Sequence, residues 1–311
     1  MDIAAQTEKD GKEKMLMVQM AGGMGNQMFA YALYKALQEA GKDVYMDDFT
    51  HYGEIGRYDN HLEKIFPLSY QKGTRAAYND LTDSSLLLWH RVRRKLFGRK
   101  EKVYQEKDAL TFEEAVFAQK DACLVGYWQS ERYFESVKEK LRQEFVFDWA
   151  HFPKEALCFR ERMERTNAVS LHVRRGDYLS GKFAPIYGGI CTQAYYESAK
   201  RYMAEKLGDC VFYLFTNDAD WGRAAEGENV VFVDCAGEDN AYVDMALMSC
   251  CRHHILANSS FSWWGAWLNP RQDKIVAAPD KWLNTSEGTD VYYGLCTVRI
   301  NGEGEVTREG L

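Results

Sequence analysis

A short apolar run, a polar turn and a helical period follow one another repeatedly along this chain, and that alternation limits what it can fold into. MLMVQM at 15–20 reads as a buried strand, AGGMGNQ at 21–27 as a glycine turn, and MFAYALYKALQEA at 28–40 has helical spacing that stops at Gly41. DVYMD at 43–47 is a second strand. The middle is less regular, with a strand predicted at 122–128 and a helix at 131–142. The pattern returns at AVSLHV (168–173), followed by a helix at 192–207 that Thr192 caps. Strands follow at 211–215, 229–234 and 253–258, with helices at 218–225, 240–251 and from Ser260, and KIVAAP at 274–279 is the last clear strand. Such alternation builds parallel sheets covered by helices. A chain of 311 residues is too long for one core. The expected fold is therefore α/β, with two Rossmann-like domains facing across a cleft. Residues 1–13 read as a disordered tail, 14–150 as the first domain and 151–311 as the second. Ligands bind beyond strand C-termini in such sheets, so the loops after Met20, Val173, Phe215 and Asn258 are the candidates.

Composition removes several function classes. A net charge of -7 argues against a general nucleic-acid binder. The eight cysteines include no C-x-x-C pair, which argues against a zinc ribbon or thioredoxin-type site and for a reducing compartment. The polar, acidic N-terminus does not read as a signal peptide, and no apolar stretch reaches membrane-spanning length, so a cytoplasmic location is expected. Arg91, Arg93, Arg94, Lys95, Arg99, Lys100 and Lys102 cluster beside Leu86, Leu87, Leu88 and Trp89. That cluster has two readings, a solvated helix face or a peripheral contact with anionic lipid at the inner membrane face.

Chemistry concentrates in three blocks. In GGMGNQ, Gly23 and Gly25 fill two positions of a dinucleotide fingerprint, with Asp47 near the place of a ribose-binding acid. Met28 occupies the third glycine position, where a long side chain fits badly, so a nicotinamide cofactor is not expected. The turn still offers backbone N–H groups to phosphate or sugar oxygens, and Asn26 adds a polar side chain. In SLHVRRGDY (170–178), strand alternation puts His172 and Arg174 on one face and Arg175 on the other. Adjacent arginines at a strand end are costly to bury without an anion, and a guanidinium fork matches a diphosphate. Arg175 is expected to brace the loop through Asp177. Asp177 is also a candidate base, though neighbouring arginines weaken it. FTNDAD (215–220) contributes Asn217 and a formal D-x-D at Asp218 and Asp220; Asp218 reads as a helix cap rather than a metal ligand. Ser259 and Ser260, in NSSFSWWGAW, sit at a strand-to-helix turn suited to phosphate or ribose oxygen, and Trp264 and Trp267 read as helix packing.

These blocks together, GGMGNQMFAYALYKAL at 22–37, LHVRRGDY at 171–178, and FTNDADW at 215–221 with ANSSFSWWGAWL at 257–268, resemble the α-1,2-fucosyltransferase family. The resemblance implies a two-domain GT-B glycosyltransferase that is inverting, metal-independent and without a cofactor, using GDP-fucose as donor substrate. It implies that Arg174 holds the diphosphate, His172 the guanine region and Asp244 the base or ribose, with Asn26 orienting groups from the facing domain. The expected acceptor is the 2-hydroxyl of galactose in an oligosaccharide or lipid-linked glycan. Transfer of another GDP-sugar, protein O-fucosylation and non-catalytic nucleotide-sugar binding are the alternatives.

Overall fold

The computed structural model describes residues 14–51, 62–178, 181–236 and 240–310, with Asp177 described by its backbone only. The tail at 1–13 lies outside the described residues. The first lobe runs β1 (Leu16–Gln19), α1 (Met24–Glu39), β2 (Val44–Asp47), α2 (Leu62–Ile65), α3 (Arg75–Leu81), α4 (Leu88–Phe97), β3 (Val103–Gln105) and β4 (Ala122–Val125). Its sheet has the order β2-β1-β4-β3, with every pair parallel. Helices α5 (Lys138–Glu144) and α6 (Lys154–Arg165) lead into the second lobe. There the order of elements is β5 (Ala168–Val173), α7 (Ala184–Tyr187), α8 (Gln193–Leu207), β6 (Val211–Thr216), α9 (Ala219–Ala224), β7 (Val230–Phe232), α10 (Ala241–Cys250), β8 (His253–Ile255), α11 (Ser260–Leu268), β9 (Val276–Pro279), β10 (Val298–Ile300) and β11 (Val306–Glu309). The seven strands lie in the order β11-β10-β9-β8-β5-β6-β7, parallel except for the β10–β11 hairpin. The two-lobed α/β arrangement is the one the alternation predicts.

Three local expectations are corrected. The glycine segment is not a separate turn: Gly22 makes the bend at φ +78°, Gly23 caps in extended conformation, and α1 already begins at Met24. The expected helix at 131–142 is two 3-10 turns before α5, because Glu131 and Phe134 turn inward against the second lobe. KIVAAP is not the last strand. β10 is only three residues long and β11 is exposed throughout, so neither carries an apolar alternation that the sequence could display.

The lobes share one hydrophobic core. Phe29 of α1 lies 4.7 Å from Trp263 and 4.9 Å from Trp264 of α11, and Phe134 stacks on Trp264 at 5.5 Å. The three buried indole N–H groups of α11 each find an acceptor, as a desolvated donor requires. Trp263 donates to the Val291 carbonyl, Trp264 to the Gly25 carbonyl at 2.9 Å, and Trp267 to Glu131 Oε2 at 2.6 Å. Arg142 lies over the Trp267 ring and donates to its carbonyl oxygen.

Gly25 lets the two helix N-termini meet. A Cβ there would lie 2.7 Å from the Ser260 carbonyl carbon and 2.8 Å from its carbonyl oxygen and Oγ. Backbone cannot yield as a flexible side chain does, so G25A should cost roughly 1–3 kcal/mol of overpacking. At Gly23 a Cβ meets nothing within 4 Å. Urea unfolding should therefore show a lower midpoint for G25A and little change for G23A; equal midpoints would mean that the helix contact is not tight.

Candidate active site

Between the strand C-termini of the two sheets lies an open cavity of about 760 Å³. Gly23, Gly25 and Asn26 line it from the first lobe; His172, Arg174 and Asn217 line it from the ends of β5 and β6. Asp244 enters from α10, and Ser259 and Ser260 from the start of α11. The structure thus gathers around one cavity every predicted site residue except Asp177, whose side chain lies outside what is described.

Register explains the arginine turn. β5 and β6 run side by side with Val173 opposite Thr216, so Arg174–Arg175 and Asn217–Asp218 leave the sheet as neighbours. Asn217 Oδ1 accepts from the Arg175 backbone N–H at 2.8 Å. Arg175 Nε donates to Asp218 at 3.0 Å, and its guanidinium lies 4.9 Å from the Trp221 ring centre. Arg175 therefore braces the loop through Asp218; the Asp177 side chain, which the sequence suggested for this part, lies outside what is described. Asp218 also caps α9 by accepting from the Trp221 N–H at 3.1 Å. Asp220 pairs with Arg223, so both carboxylates of the formal D-x-D already have cationic partners. Arg175 lines a second hollow of about 360 Å³, which Arg174 also borders. Arg174 reaches the main cavity, its guanidinium 5.5 Å from the Tyr178 ring centre.

Beside Arg174, two helix ends add positive potential to the cavity, whose lining also holds the acids Asp234 and Asp244. The N-termini of α1 and α11 both end at the cavity, and unpaired helix N–H groups with their dipoles favour an anion there. Asn26 Oδ1 accepts from Gln129 Nε2 at 2.8 Å, while Gln129 Oε1 accepts from Trp282 Nε1 at 3.1 Å. The Asn26 amide oxygen is thereby engaged, and the group it can offer a ligand is its NH2. Ser259 Oγ is partly used in capping α11 through the Phe261 N–H. Asp47, the acid of the dinucleotide fingerprint, instead accepts from Phe49, Thr50 and the Thr50 hydroxyl in a tight turn.

Two buried polar atoms on the wall lack a partner, His172 Nδ1 and Asp244 Oδ1. Burial, aided by the charge of Arg174, pushes the His172 pKa down to about 3, so the ring is neutral. Burial, aided by Asp234, raises the Asp244 pKa to about 7. Unsatisfied buried groups on a cavity wall call for a polar ligand that supplies what they lack. The sequence reading missed the aromatic part of the wall: Tyr178 and Tyr187 stack at 4.5 Å, joined by Phe183 and by Tyr127 from the first lobe. Of these, Tyr178 had a signal, its place in LHVRRGDY. It missed Asn258 too, whose amide donates to the Tyr187 and Trp282 carbonyls and ties two loops together below the cavity.

The family model described as glycosyl transferase family 11 matches residues 96–290. The chain belongs to glycosyltransferase family 11. An α-1,2-colitosyltransferase of Escherichia coli is 32% identical over 291 residues, 88% of this chain and 94% of that one. A galactoside α-(1,2)-fucosyltransferase 1 of Saimiri sciureus is 30% identical over 155 residues, 47% of this chain and 42% of that one. Among solved structures, the fucosyltransferase NodZ from Bradyrhizobium aligns over 87% of this chain and 98% of its own, with a TM-score of 0.48 and 16% identity. Within this family 11 glycosyltransferase, Asp218 and Asp220 pair with Arg175 and Arg223 in the loop after β6.

Asp244 and His172 act oppositely on stability. A carboxyl with a raised folded pKa makes the folded state less stable as pH climbs from about 4 to about 7. A histidine with a depressed folded pKa makes it more stable as pH climbs from about 3 to about 6.5. D244N should thus match wild type near pH 4 and exceed it at pH 8 by roughly 4 kcal/mol. Urea midpoints measured across that range test this; a D244N protein no more stable at pH 8 would show the carboxylate to be compensated.

Proposed function

We propose that this glycosyltransferase moves a 6-deoxyhexosyl group, L-fucose or its 3-deoxy relative colitose, from a GDP-sugar to a hydroxyl of a sugar acceptor. The observation that carries the reading is the meeting of Arg174 with two helix N-termini around one cavity that also holds the two orphaned polar atoms. A diphosphate fits the first set of groups. A guanine fits the second, because its N1–H and N2–H2 edge donates to a carboxylate while ring and sugar positions serve a neutral imidazole. The finer reading is an α-1,2 linkage to the 2-hydroxyl of galactose. It is supported by the names of the two relatives above, which share that linkage and differ in the sugar transferred. The colitosyl reading deserves equal weight on coverage, since its relative aligns over 88% of the chain against 47%.

In this mechanism the acceptor oxygen attacks the anomeric carbon as the bond to the β-phosphate oxygen breaks, inverting a β-linked donor to an α-linked product. Negative charge moves onto the leaving diphosphate. Arg174 and the N–H groups of the two helix ends stabilise it, more strongly in the transition state than in the bound donor. The Asn26 NH2 donates to the diphosphate or the acceptor across the cleft. An oxocarbenium-like transition state lowers the demand for a strong base, so Asp177 suffices as proton acceptor. Asn217 lines the same cavity as a donor-binding residue and positions the arginine turn through its bonds to the Arg175 backbone.

Expected outcomes follow for donor and site. GDP release should appear with GDP-fucose or GDP-colitose on lactose or N-acetyllactosamine, and NMR of the product should show the α-1,2 linkage. Turnover with UDP-galactose and with neither GDP-sugar would overturn the donor reading. R174A should lower kcat by roughly 10²-fold, as for a lost charge-stabilising donor, and R174K should recover little because a point charge lacks the fork. R175A should act through melting temperature instead. D244A should weaken GDP binding and leave acceptor affinity nearly unchanged; the reverse pattern would put α10 on the acceptor side. Activity should persist in EDTA, since Asp218 and Asp220 are paired with arginines; loss on chelation restored by Mn²⁺ would contradict that.

A further inference from the structure

Helix α4 presents its apolar residues to solvent. Leu86, Leu87, Leu88, Trp89, Leu96 and Phe97 are between 67% and 85% exposed, Val92 is also exposed, and the helix buries none of its residues. At 3.6 residues per turn, Leu88, Val92, Leu96 and Trp89 fall within an arc of about 100°. Arg91 and Lys95 border that arc and are exposed. Arg93 and Arg94 point the other way, toward the protein. Both pair with buried Asp83, Arg94 also donates to the Asp83 and Ser85 carbonyls, and the Lys100 backbone N–H donates to Asp83 Oδ2 at 2.9 Å. The helix is thus pinned through its cations with its apolar stripe outward, the reverse of an ordinary surface helix.

We propose that α4 docks this enzyme on an anionic lipid bilayer, its Leu–Trp stripe entering the interface and Arg91, Lys95 and Lys100 meeting lipid phosphates. Charge selects this occupant. Residues 86–100 hold six lysines and arginines and no acid, in a chain whose net charge is -7. A second copy would set two such cationic rims against each other, whereas an anionic surface complements them. Long basic side chains beside an exposed stripe place their stems along lipid and their heads at phosphate. Among the described residues no helix is long and apolar enough to cross a membrane, so this contact lies on the surface.

The test is flotation of the full chain with vesicles of phosphatidylcholine alone or with about 30% phosphatidylglycerol, at about 0.05 M and about 0.5 M salt. The protein should float with the anionic vesicles, and less so at high salt. L88Q/W89Q/L96Q should abolish flotation. R91E/K95E/K100E should weaken it by about 10²-fold or more, at about 1 kcal/mol for each cation lost near the surface. Circular dichroism and GDP release with a soluble acceptor should be unchanged in both variants, which separates this proposal from the donor reading. Wild type left unbound on anionic vesicles, flotation indifferent to the L88Q/W89Q/L96Q change, or a lipid-free dimer that L96E dissociates would each overturn it.

Discussion

The approach of α1 to α11 at Gly25 and Ser260 is the contact on which the rest of the site depends. Without a side chain at Gly25, two helix N-termini from different lobes come within van der Waals distance, and Trp264 closes the junction by donating to the Gly25 carbonyl. That donor is buried and would be costly to leave unpaired, so the relative position of the lobes is fixed by a hydrogen bond as well as by ring packing. The cavity above the junction then inherits two dipole ends aimed at one region. Gln129 extends the arrangement, holding Asn26 on one side and receiving Trp282 on the other.

Charge around the cavity is divided by strand alternation. Arg174 and His172 share the cavity side of β5, while Arg175 turns away to Asp218 and Trp221. The brace costs the site nothing in positive charge, because its partner is on the far face. Asp244 and His172 are held in the states burial prefers, a raised carboxyl pKa and a neutral ring. Both remain short of a partner, so the free wall stores an unfavourable term that a suitable ligand removes. Binding specificity and the stability of the free protein are coupled through the same two atoms.

Helix α4 follows the opposite logic. The core buries aromatic faces, and the α11 indoles there find acceptors; α4 keeps its apolar face out and turns two arginines inward to Asp83, a residue held at φ 49°. Such a surface costs solvation free energy in water, roughly 25 cal/mol for each Å² of exposed apolar area. A basic rim without acids accompanies it, which distinguishes this face from the scattered exposed leucines of any soluble surface.

The sequence by itself determined the alternation of strands and helices, the cap at Thr192, the start of α11 at Ser260 and the strand-end placement of the arginines. These are local properties, set by apolar period, turn residues and the two-fold alternation of a strand. It also showed the basic apolar segment at 86–102. Tertiary structure decided what local patterns cannot contain. Gly25 looked like a turn residue and is a helical one, because its lack of a Cβ answers a neighbour 235 positions away in the chain. Arg175 meets Asp218 because register sets β6 beside β5, and β10 and β11 exist because β9 offers an edge to pair with. The tyrosine wall and the outward turn of α4 likewise depend on which surfaces the remaining chain covers, and no short window of sequence encodes that.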